Sequence, residues 1–126
     1  LAVEHFEIAM RLDPLSPYRG NQLTGMGIAR LLQGRWDLAL DVLRESAQLR
    51  PGWPTNHAMI AACYGHLGQR EQGAEALARL ESLINVSAEE WTRMLELPEP
   101  ISSGIALARA ASSSPAAPAS PAPPAP

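Results

Sequence analysis

The stretch LLQGRWDLALDVLRESAQLRP, residues 31–51, decides the fold. It reads as a helix ending on Gly34, a tight turn, and an amphipathic helix that runs into Pro51. Gly takes the left-handed stop at low cost, and Pro cannot continue a helix. The same grammar recurs on both sides. Downstream, LGQREQGAEALARLESLIN places Gly68 34 positions after Gly34, with Gly73 in register with Ala39 and Leu77 with Leu43. Upstream, AVEHFEIAMRLDP matches LALDVLRESAQLRP at a spacing of 37, pairing Ala2 with Ala39, Phe6 with Leu43, Ala9 with Ser46 and Pro14 with Pro51. Three extra residues therefore sit near residues 15–20. Self-similarity at such a period marks stacked repeats.

Working outward, residues 2–12 carry Val3, Phe6 and Met10 on one stripe opposite Glu4, Glu7 and Arg11, a helical period that stops before Pro14. Residues 20–33 form the next predicted helix, with Leu23, Met26, Gly27 and Leu31 as its packing face. Residues 36–49 return antiparallel, with Leu40, Leu43 and Ala47 facing inward and Asp37, Asp41, Arg44 and Glu45 facing water. Pro54 suits the first position of a helix stopped by Gly68, and residues 70–84 return again. Ser87 and Glu90 spell a capping box for a short helix through residue 97, read as the cap of the stack and ended by Pro98 and Pro100. Residues 101–111 have the composition of a marginal helix, and SSSPAAPASPAPPAP from Ser112 has nothing to bury, so a disordered tail is expected.

Two helices of a hairpin cross closely only where one side is small. Gly27, Ala39, Ala61 and Gly73 are the expected crossing points, and Phe6, Leu43 and Leu77 the large residues that fill the gaps beside them. Full burial of each large residue contributes roughly 1.5 to 3 kcal/mol.

A helix-turn-helix period of 34 residues with these positions resembles the tetratricopeptide repeat. The resemblance covers residues 1–85 and is strongest at Gly27, Gly34, Ala39, Leu43, Pro51, Gly68 and Leu77. It departs at Gly73 and Asn85, where Ala and Pro are commoner. It implies an all-α fold of antiparallel helix-turn-helix repeats stacked as a short right-handed solenoid with a disordered C-terminal tail. The expected units are the second helix of a truncated repeat (1–14), repeats at 15–51 and 52–86, a capping helix (87–97) and a low-complexity Pro/Ala/Ser tail (98–126). Two and a half repeats are few. The face of Val3, Phe6 and Met10 is therefore expected to meet upstream repeats of the same chain, as at the C-terminal end of a longer protein.

The resemblance also implies a protein-protein interaction scaffold and not an enzyme. Its partner groove would be lined by Asn21, Thr24, Ile28, Leu31 and Leu32 from one unit and Thr55, Ala58, Ala62 and His66 from the next. The Lys, Asn and Arg that let some members clamp a terminal carboxylate are not at these positions, so a helical or apolar peptide segment of another protein fits better. More narrowly, AVEHFEIAMRLDPLSP and RPGWPTNHAMIAACYGHLGQREQGAEALARL look like the repeat region that follows the catalytic or DNA-binding domain in bacterial adenylate cyclase-like and winged-helix regulators. The alternative function is then a regulatory segment whose catalytic or DNA-binding domain lies upstream of Leu1.

Composition narrows the chemistry. The chain has 126 residues, 46% hydrophobic and 18% charged, which suits one ordinary globular domain. All ten cations are arginine, which excludes lysine Schiff-base chemistry and a phosphate-loop lysine. A net charge of -3 with interspersed signs gives no basic track, so no nucleic acid partner is expected. The Ala, Arg, Gly and Pro bias suggests a GC-rich bacterial genome. One cysteine makes no internal disulfide, and with no stretch apolar enough for a bilayer the expected place is the cytoplasm, without membrane association.

Candidate catalytic and ligand positions fare poorly beside packing explanations. Gly20 and Gly25 have phosphate-loop spacing, but Met26 and Gly27 stand where Lys and Ser or Thr are needed, and Gly25-Met26-Gly27 fails as a dinucleotide motif at Arg30. His5, His57 and His66 share no ligand spacing, so no metal and no cofactor are expected. Cys63 with His66 nearby lacks an orienting acid or amide and reads as a small buried side chain. Glu89 and Glu90 read as helix-start acids, and Trp36, Trp53 and Trp91 as packing at turns. Arg30, where the repeat pattern usually has a large apolar residue, reads as a solvated arginine with a packed stem. Ala39→Glu is expected to lower the melting temperature by several degrees, roughly the effect of a few kcal/mol in a small domain; an unchanged thermal denaturation curve would contradict the register.

Overall fold

The computed structural model describes Glu4, His5, Glu7, Ile8 and residues 19–112, with side chains to Ala110. The described residues are all-α: α1 (Arg19–Leu32), α2 (Trp36–Leu49), α3 (Pro54–Leu67), α4 (Arg70–Leu83), α5 (Ala88–Met94) and α6 (Glu99–Ser112). Glu4, His5, Glu7 and Ile8 are helical as well. The expected roles of Phe6, and of the tail beyond residue 112, lie outside the described residues.

Two hairpins, α1/α2 and α3/α4, follow from the two glycines 34 positions apart. Gly34 and Gly68 sit at φ 79° and 74°, between antiparallel helices. Their surroundings repeat bond for bond. Gly34 N–H donates to the Leu31 carbonyl and Arg35 N–H to Arg30, and Gly68 N–H donates to Gly65 and Gln69 N–H to Tyr64. These are paired closing bonds of a Schellman turn, which satisfy the carbonyls a helix end leaves bare. Within the first hairpin a methyl on Gly27 would fall 2.5 Å from Leu43 Cδ2, so the small crossing residue and its large neighbour meet as expected. Ala39, Leu43, Ala61 and Leu77 are buried.

A polar chain ties three helices. Ser46 Oγ (α2) donates to the Gly20 carbonyl at 2.8 Å, Thr24 Oγ1 (α1) lies 2.8 Å from Ser46 Oγ, and the Asn56 amide oxygen (α3) lies 2.5 Å from Thr24 Oγ1. Two hydroxyl hydrogens cannot serve three contacts, while Asn56 Nδ2 stands without a partner. A half-turn of the Asn56 amide resolves both: Nδ2 donates to Thr24, Thr24 to Ser46, and Ser46 to Gly20.

α3 is the centre of the molecule. Every residue from Asn56 to Cys63 is buried, because α1, α2, α4 and α6 surround it. The most extensive helix-helix contact is α3 with α6: His66 meets Pro100, Ala62 meets Gly104, and Gly65 meets Gly104 and Ala108. This corrects the sequence reading of residues 98–126 as tail. Ile101, Ile105 and Ala108 are at most 1% exposed, so the marginal helix read at residues 101–111 is a regular, packed one and no part of a tail. Pro98 and Pro100, read as terminators, start it instead. The Pro98 carbonyl accepts from Ile101 and Ser102, and Pro100 sits in the first turn, where its missing N–H has no intrahelical partner to lose. The short α5, read as the cap of the stack, is a connector, and α6 covers the second hairpin. Ser87 does cap α5 as expected, accepting from Glu90 N–H at 3.1 Å.

The α3/α6 approach is backbone on backbone. A methyl on Gly104 would fall 2.6 Å from the Ala62 carbonyl oxygen, and one on Gly65 would collide with the Gly104 carbonyl. Around Gly68 there is nothing within 4 Å, so only its left-handed φ resists substitution. In urea denaturation Gly68→Ala is expected to cost about 1 kcal/mol and Gly104→Ala up to about 3 kcal/mol through overpacking; the opposite ranking would contradict the close α3/α6 contact.

Candidate functional site

The groove expected from the sequence is not an open wall. Thr24, Leu31, Ala58 and Ala62 are buried, Ala62 beneath Gly104 of α6. Ile28, Thr55 and His66 are half-buried, and Asn21 is exposed, with its Oδ1 accepting from Arg50 Nη1 at 2.5 Å. Leu32 alone of the apolar members is exposed, at 45%. His66 Nε2 donates to the Pro100 carbonyl at 2.7 Å while its ring stacks on Trp36, with centroids 4.0 Å apart and planes 6° from parallel. Beside α3 the physical reason is α6, which lies against Ala62 and His66, and in α1 it is the bonding of Thr24 to Ser46 and Asn56.

Gly73, expected to face its own hairpin, also meets α6, with Ala108 Cβ 3.3 Å from where its methyl would be. Arg30, read as solvated, pairs with Glu7 at 3.2 Å and joins α1 to the preceding helical residues. Trp53 lies under the Arg50 guanidinium at 4.3 Å, a cation-π contact that holds the turn between the hairpins. Cys63 is 0% exposed, and burial pushes its thiol up to about 12, so the thiolate a nucleophile needs is not formed. Among the described residues no group of three or more His, Cys, Asp or Glu is placed to hold a metal ion. No described helix is long and apolar enough to cross a membrane.

One of the open concave features lies on the other side of α3. A cleft of about 430 Å³ runs between α2 and α4. Its floor is Ala47, Ile60, Tyr64 and Ala76; its rim carries Arg44 and Gln48 from α2 and Gln72, Glu75 and Arg79 from α4. His57, at one end, donates from Nε2 to the Pro51 carbonyl at 2.7 Å, which fixes its ring. Sequence reasoning placed Arg44 on a wet face and Ala47 on a packed one, but no local pattern reports how far apart two neighbouring hairpins leave their second helices.

A second polar cluster locks α6. Arg109 Nε donates to Glu89 at 2.8 Å, and its Nη2 pairs with Glu81, which also accepts the Ala88 N–H at 2.7 Å. One arginine thus joins α6 to α4 and to the start of α5. The hydrogen bond from Arg109 holds the Glu89 carboxyl below its ordinary 4.5 against the opposing pull of burial. A depressed folded value means stability that is present above the unfolded value and lost as pH falls through the lower folded one. Denaturation midpoints compared at about pH 6 and about pH 3.5 are expected to fall in the native chain and to fall less in Glu89→Gln; the group is over a third exposed, so the difference is small. Equal losses in both chains would contradict the lock.

Comparison with protein-family models, curated proteins and solved structures gave no match to this chain.

Proposed function

We propose that this chain is a protein-interaction module built from helix hairpins of the tetratricopeptide kind, and that a partner sits in the outer cleft between α2 and α4. The observation that carries the reading is the division of the two sides of α3. One side is closed by α6, with Ala62 and Gly104 in backbone contact, and the other is an open cleft with an apolar floor and a polar rim. Concave sites with an apolar body and few placed polar groups are where proteins receive ligands. The periodic residues supply rigidity: with Leu31, Leu43 and Leu77 in the core, α2 and α4 hold the cleft walls at a fixed separation.

A photo-reactive amino acid placed at Gln48 or Gln72 tests the reading in cells, with a control at the exposed Glu99 on the opposite element. Crosslinks to a discrete partner protein are expected from the two cleft positions and not from the control. Adducts from the control position alone, or from none of the three, would overturn the proposal.

A further inference from the structure

We infer that the cleft between α2 and α4 recognises a peptide segment in which an acidic side chain neighbours a branched aliphatic one; this rests on the interaction-module reading and specifies its partner's chemistry. Three rim side chains, Arg44, Gln48 and Gln72, face the cleft and form no hydrogen bond or ion pair among the described residues. Arg79, on α4 with Gln72, is already paired with Glu75 at 3.0 Å. The rim therefore offers one free guanidinium and two free amides over a floor that includes Ile60, 8% exposed, and the Tyr64 ring.

Each part selects a property of the ligand. A free arginine fork matches a carboxylate with two parallel N–H donors, a geometry that a neutral amide cannot reproduce. The arginine reaches from α2 over an apolar floor, so a carboxylate bound there brings its neighbouring residue down onto Ile60, Ala47 and Ala76. Small floor residues leave depth for a Leu or Val side chain, and the flanking amides of Gln48 and Gln72 can each donate to and accept from a peptide backbone. The formal charges lining the cleft, Arg44 and Arg79 against Glu75, sum to one positive in a chain whose net charge is -3. The cleft thus differs in sign from the molecule as a whole, and an acidic segment is steered to it.

The test uses the full chain and the probe acetyl-Gly-Glu-Leu-Leu-Gly-amide, with its Gln counterpart as comparison, followed by the NMR methyl signals of Ile60 and Ala76. The Glu peptide is expected to move both signals. Its affinity is expected to fall about tenfold in Arg44→Gln and about tenfold when Glu is exchanged for Gln in the peptide, the effect of one charge-assisted hydrogen bond. Arg70→Gln, an exposed arginine outside the cleft, should change nothing. Equal binding of the two peptides, or insensitivity to Arg44→Gln, would overturn the carboxylate assignment while leaving the crosslinking result of the module reading untouched. Silence of both signals with either peptide would overturn it too. So would the same shifts produced by a peptide of residues 113–126, or by raising the concentration of the chain alone, which would make the occupant its own tail or a second copy.

Discussion

A helix can be buried on every side only if something lies against every side, and α3 meets that demand through the approach of α6. At Gly65, Gly104 and Ala62 the two helices touch through backbone atoms, closer than any pair of side chains would permit. That distance brings Ile101 and Ile105 to 0% exposure, each contributing roughly 1.5 to 3 kcal/mol. Lift α6 by the thickness of a methyl and those two residues lose their contacts, because packed interiors leave no space into which they relax. The rest of the arrangement depends on this contact. The His66 to Pro100 bond and the Arg109 pairs with Glu81 and Glu89 all require α6 to lie where it does.

How much of this the sequence discloses depends on which signal each element uses. The hairpins were legible because a left-handed turn leaves a chemical mark, glycine, and the marks at Gly34 and Gly68 stand at a fixed interval. The crossing of Gly27 with Leu43 was legible for the same reason, since a size alternation is written in residue type. Helix α6 reads from the sequence only as a marginal helix within a tail, because composition outweighs spacing. Ile101, Gly104, Ile105 and Ala108 stand at helical intervals of three, one and three, and that was the available signal. Pro98 and Pro100 carried the opposite message only if read from the preceding helix; read from the following one, they mark a start.

For the α3 members the misplaced groove follows from α6, whereas Thr24 of α1 is enclosed by its own hydrogen bonds with Ser46 and Asn56. Assigning Ala58, Ala62 and His66 to a binding wall assumes that nothing from the same chain lies over them. A small residue at the surface of a helix has two readings, since it admits either a partner's backbone or the chain's own. Ala62 belongs to the second case, because Gly104 is close enough that even one more carbon would be excluded. No local pattern around Ala62 separates these readings; the separating information sits 42 residues later, at Gly104.

The arginines complete the division between the parts of the chain that bind themselves and the parts that remain open. Arg19 reaches Glu45, Arg30 reaches Glu7, Arg50 reaches Asn21 and lies over Trp53, and Arg109 reaches Glu81 and Glu89, so each joins two segments of the chain. A guanidinium suits this work because its planar fork serves two acceptors at once and keeps its charge at any ordinary pH. Exposed pairs of this kind add little stability individually, and their effect is to choose one relative placement of neighbouring helices over others of similar apolar burial. Arg44 has the same fork and none of these acceptors, although Arg79 and Glu75 stand across the same cleft and pair with each other. Arg35, Arg70 and Arg93 form no such pair among the described residues either; what sets Arg44 apart is its place on the rim of the cleft, over Ala47, Ile60 and Ala76.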